Sequence, residues 1–152
     1  MQRRVFEAVT CSVAGLLLGF GEYIALGVRW QLALHHRYPI SLAQCLRYLE
    51  FYTIASLYLV VPVAIFFAGL YFGVKDRLFS RWFISLLIGL VSGAVISAAL
   101  LCGVYYRQYH GMARFSLQTF VPRTMIASAV MFLGGSWFSW RRGRTKSANK
   151  ES

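Results

Sequence analysis

Four long apolar runs alternate with short clusters of charge along the chain. The first extends from about Val5 to Val28 and closes on Arg29 and Trp30, a charged and aromatic pair typical of a membrane–water boundary. Residues 31–40 follow as a polar connection containing His35, His36, Arg37 and Pro39. Ser41, with Gln44 three residues on, has the pattern of a capping box and predicts the start of a second helix. That helix is expected to reach about Gly73, longer than one crossing requires, so its first turns belong to the headgroup region or beyond. Pro62 lies near its middle and lacks an N–H, which predicts a kink. Lys75, Asp76, Arg77 and Arg81 mark a short turn, so the second and third runs are antiparallel neighbours. The third covers about Trp82 to Tyr105 and is followed by a polar connection, YRQYHGMARFSLQT. A fourth run covers about Phe120 to Trp140, and RRGRTKSANKES reads as a solvated basic tail.

Each run has the roughly 20 residues that a helix needs to cross the hydrocarbon. The predicted fold class is all-α: an integral membrane four-helix bundle formed by residues 1–140, with spans at about 5–28, 42–73, 82–105 and 120–140, and a tail over 141–152. The opening MQRRVFEAVTCSVAGLLLGF imitates a signal peptide. Its apolar run is too long for one and shows no small-residue cleavage site, so it is read as a retained first helix.

Composition sharpens this reading. Charged residues are 14% of the chain, against about 25% in a soluble domain. The net charge of +11 raises the question of nucleic acid, but basic residues that flank apolar spans hold anionic lipid headgroups instead. Ten Lys and Arg fall at the N-terminus, the middle turn and the tail, and six fall at the other two connections. The richer set is expected on the cytoplasmic side, which places both termini inside. Charge bias and size suggest a bacterial inner membrane.

Small residues predict how the helices meet. Ser85, Gly89, Gly93 and Ser97 recur at four-residue intervals in the third run, on one helix face, and Gly15 and Gly19 do so in the first. Such a face lets another helix approach closely, within the bundle or from a second chain.

Glu22 interrupts the first run. With that span centred near Leu16 and Leu17, the helical rise puts Glu22 about 8 Å from the midplane, inside a half-thickness of about 15 Å. An acid there is expected to face the protein interior and find a partner. Arg123, about 10 Å from the midplane of the fourth span, is the candidate at matching depth, and Pro122 beside it fits a helix's first turn. Arg47 and Glu50, spaced i, i+3, are positioned to pair with each other or join the same polar network. The alternatives are a protonated Glu22 bonded to hydroxyls, or a carboxylate that handles protons or cations.

No catalytic motif appears: no GxSxG, no HExxH, no phosphate-cradling glycine loop. No enzyme activity, cofactor or metal is therefore expected, although His35, His36 and His110 occupy the outer connections. Cys45 and Cys102 share that side and are placed to be joined in an oxidising compartment, while all three cysteines also read as small buried apolar residues. Trp30, His36, Arg37 and Tyr38 in one outer connection, with Tyr106, Arg107, Tyr109, His110 and Arg114 in the other, form either an aromatic belt with headgroup-binding arginines or a recognition surface.

The expected function is a small polytopic membrane protein acting through membrane-embedded protein–protein interaction, with immunity or exclusion against a toxin or conjugation partner as a concrete form. Its partners would be the bilayer and a membrane protein or a second copy, not nucleic acid. The alternatives are a transporter or channel subunit using Glu22 in an oligomer, and a lipid-acting membrane enzyme.

Overall fold

In the computed structural model the chain forms four α-helices: α1 (Gln2–Leu34), α2 (Leu42–Gly73), α3 (Trp82–Tyr105) and α4 (Met112–Ala148). The structure describes residues 2–34, 41–73, 79, 81–105 and 112–148, and no strand occurs among them. α1, α2 and α3 are long and apolar enough to cross a membrane. α4 falls outside that set, so three of the four expected spans have the length and apolar character of a crossing.

The reason lies in where α4 sits. It packs against all three other helices, whereas α1 and α3 do not touch among the described residues. A helix screened by its neighbours faces protein rather than lipid, so its polar groups can be satisfied internally. Thr124, Ser128, Ser136 and Ser139 of α4 are all buried. Thr124 donates its hydroxyl to the Phe120 carbonyl at 2.8 Å. Ser128 shares a hydrogen bond with Ser92 of α3 at 3.1 Å. Ser136 donates to the Phe79 carbonyl, ahead of α3, at 2.7 Å.

Two glycine faces make this central position possible. A side chain on Gly15 or Gly19 of α1 would fall 2.6–2.7 Å from backbone or side-chain atoms of Ala127 on α4. On another side of α4, a side chain on Gly93 would fall 2.7 Å from the Thr124 carbonyl, and one on Gly89 would meet Ala129 at 2.9 Å. Ser85 and Ser97, the ends of the same four-residue series, are also buried. Close backbone approach of this kind supplies dispersion contact where lipid removes the hydrophobic drive.

The ends of α2 and α3 fall where expected, and those of α1 and α4 do not. α2 begins as read: the Ser41 N–H donates to Gln44 Oε1 at 3.1 Å and the Gln44 N–H to Ser41 Oγ at 3.3 Å. It continues without interruption through Pro62. α1 and α4 run past their apolar segments, and Pro122 lies in the interior of α4 instead of its first turn. Charge marks where a helix leaves the hydrocarbon, not where it stops, since Arg, Lys and Gln are good helix formers. The last turns of α4 carry their own support: Arg141 lies over Trp137 at 5.5 Å and Arg144 over Trp140 at 4.0 Å, both at i, i+4 spacing.

Candidate functional site

Charged groups gather at both ends of the α1–α4 contact. At the end that carries both termini, Glu7 is 2% exposed. Its carboxylate accepts a hydrogen bond from the Tyr71 hydroxyl of α2 at 2.6 Å and another from Arg142 of α4. The Arg142 guanidinium also lies over the Tyr71 ring at 5.3 Å, and exposed Arg3 approaches Glu7 at 3.4 Å. Three helices thus close on one carboxylate. Beneath it Phe67, Tyr71, Phe79 and Phe132 pack ring on ring, with centroids 5.2–6.1 Å apart.

Sequence reading had not singled out Glu7. The signal was present, because Glu7, Cys11, Gly15, Gly19, Tyr23, Gly27 and Gln31 form one uninterrupted four-residue series on α1. Extending the small-residue face one turn towards the N-terminus lands on the acid.

At the opposite end the expected pair does not form. Glu22 is exposed, on a face with Leu18, Ala25, Leu26 and Arg29, all of them exposed too. No ion pair or hydrogen bond joins it to another described residue. Arg123 instead lies over the ring of Tyr23 at 5.5 Å and donates Nη1–H to the Thr119 carbonyl at 3.2 Å. The correction has a simple geometric cause. Helical rise sets depth, and Arg123 does reach the level of residues 22 and 23. Each residue also turns the helix by about 100°, and this rotation presents Tyr23 to α4 while carrying Glu22 outward. Tyr23 further packs edge-on against Tyr52 of α2 at 5.5 Å and Phe120 of α4 at 5.1 Å.

The remaining expectations divide. Arg47 and Glu50 are both exposed on α2 and are not paired with each other. Cys11 is a buried free thiol, and Cys45 and Cys102 are separate free thiols. Trp30 is 61% exposed on the last turns of α1. Arg114 lies in the first turn of α4. His36, Arg37, Tyr38, Tyr106, Arg107, Tyr109 and His110 lie outside the described residues. Among the described residues, no three His, Cys, Asp or Glu side chains gather as a metal site would require. The chain matches no protein-family model, no curated protein and no solved structure.

Chemically the two ends differ. The Glu7 cluster is a closed network whose acid already accepts from two donors, the arrangement of a structural tie. Glu22 is an open acid on an apolar surface, available to a group from outside the chain.

Proposed function

We propose that this chain is a small membrane-embedded interaction protein, set in the bilayer as a four-helix bundle with both termini on the cytoplasmic side. Its docking face is the surface of α1 that carries Glu22. The partner is a transmembrane helix of another protein that presents a cationic side chain at the same depth. One observation carries this reading: Glu22 stands between Leu18, 68% exposed, and Leu26, 49% exposed, with no partner among the described residues.

A charged side chain facing hydrocarbon costs about 2.5–3.5 kcal/mol at mid-membrane on insertion scales. A group so costly, and unused by its own fold, is accounted for by a partner that pairs with it. A second copy is disfavoured as that partner. Two copies inserted in the same sense would meet across a twofold axis with Glu22 against Glu22, and like charges at one site repel. A toxin or conjugation component that enters the same bilayer has the required form, a membrane helix with a basic residue.

The test uses a Leu-rich transmembrane peptide with one Lys at the depth of Glu22, and its all-Leu parent, reconstituted with the protein in vesicles. Association is read by energy transfer. The Lys peptide should associate more tightly with wild type than with Glu22→Gln by about 1–2 kcal/mol, roughly five- to thirtyfold, while the parent shows no difference. Equal association with both proteins would remove Glu22 as the docking group. A proton or cation flux in vesicles that stops in Glu22→Gln would replace this reading with a transporter or channel subunit.

A further inference from the structure

At the end away from the termini, α1, α2 and α4 enclose a groove of about 740 Å³. Its lining includes Leu26, Trp30, Tyr52, Arg29 and Arg123, so two guanidiniums border a mostly apolar space. Neither arginine is paired with a carboxylate among the described residues. Arg123 is nonetheless held still, by the Tyr23 ring beneath it and by the Thr119 carbonyl at Nη1. One of its five N–H groups is engaged there, which leaves the rest of a planar fork suited to a phosphate.

We propose that this groove binds an anionic phospholipid, with its phosphate on Arg123 and Arg29 and an acyl chain along Leu26 and Trp30. Three observations converge on a lipid. The volume, about 740 Å³, is that of a small-molecule site. The walls are mostly apolar, and the two arginines are the charged groups among them, beside the hydroxyl-bearing Tyr23, Tyr52 and Thr119. Trp30 belongs to the residue type that settles at headgroup level, with Arg29 beside it, and the Arg123 side chain, rooted about 9 Å deeper at the level of Tyr23, reaches towards them to the Thr119 carbonyl one turn nearer that surface. Basic pockets between membrane helices hold anionic headgroups in this manner. This assignment does not rest on the partner proposed for Glu22, although the two occupants would adjoin at Leu26.

Trp30 is a built-in reporter. Replacing Trp82, Trp137 and Trp140 with Phe leaves it as the single tryptophan of the chain. The protein is placed in phosphatidylcholine bilayers containing a few mole per cent of brominated phosphatidylglycerol or, in parallel, of brominated phosphatidylcholine. Trp30 should be quenched preferentially by the anionic lipid, with about a fivefold preference for each arginine. The preference should fall in Arg123→Gln and in Arg29→Gln, and persist in Arg47→Gln, which changes an exposed arginine outside the groove. Arg29→Gln alters only an exposed rim residue, so it decides the matter if Arg123→Gln fails to fold. Equal quenching by the two lipids, or a preference that survives Arg29→Gln, would overturn the assignment. Relief of quenching by millimolar inorganic phosphate would also overturn it, by showing a site for a free anion.

Discussion

Arg142 and Glu7, separated by 135 positions in the chain, are joined by an ion pair and a hydrogen bond that fasten the end of α4 to the start of α1. The Tyr71 hydroxyl donates to the same carboxylate oxygen from α2. This network sits at one end of an antiparallel contact whose other end is Arg123 over Tyr23. Both ends of the α1–α4 seam are therefore closed by an arginine of α4, one on a carboxylate and one on an aromatic ring.

Removing one partner of the buried pair should be costly. Arg142→Ala leaves the Glu7 carboxylate buried with only part of its hydrogen bonding, and breaking such a pair costs about 3–5 kcal/mol. Tyr71→Phe removes a single hydrogen bond to a charged group and should cost less, about 1.5–3 kcal/mol. Replacing both charges together, as Glu7→Leu with Arg142→Met, should recover most of the loss. Reversible unfolding in a fixed detergent checks all three, and a double change as damaging as the sum of the singles would show that the two residues act separately.

The glycines divide into two sets with opposite expectations. Gly19→Ala and Gly93→Ala each drive a methyl into backbone or small-residue contacts at 2.7 Å, where no flexible side chain can yield. Overpacking of this kind should destabilise by about 1–3 kcal/mol. Gly21→Ala and Gly69→Ala point into open space and should be neutral or stabilising by up to about 1 kcal/mol, the helical advantage of Ala over Gly. Thermal midpoints of the four variants would sort them directly.

Glu22 and Arg123 should behave as strangers. Since Arg123 is held by Tyr23 and Thr119, the effects of Glu22→Gln and Arg123→Gln on stability should add to within about 0.5 kcal/mol. A coupling of 2 kcal/mol or so in the double-mutant cycle would restore the direct pair that depth alone suggested.

Much of this architecture was readable from residue order, and the failures have specific causes. The capping box at Ser41 and Gln44 and the small-residue faces of α1 and α3 follow from local spacing, and the structure uses them where spacing puts them. The depth of Glu22 was readable because rise accumulates linearly along a helix. Its direction was not, because direction depends on which face the neighbouring helices choose to cover. Glu7 escaped notice because an acid beside Arg3 and Arg4 looks like an interfacial charge, although its place in the Cys11–Gly15–Gly19 series marks it as inward. The central role of α4 was hidden for a related reason. Its hydroxyls and Arg123 lower its apolar character, and only the packing shows that three other helices supply their surroundings.

The account turns on Glu22 facing away from its own fold, and the unfolding free energy of Glu22→Leu beside wild type tests this most directly. An outward acid contributes nothing to the isolated bundle, so Glu22→Leu should match wild type or exceed it by about 1–2 kcal/mol, while losing its preference for the Lys-bearing peptide. A loss of about 2 kcal/mol or more would place the carboxylate inside the bundle with a partner of its own, and the docking face proposed for α1 would have to be abandoned.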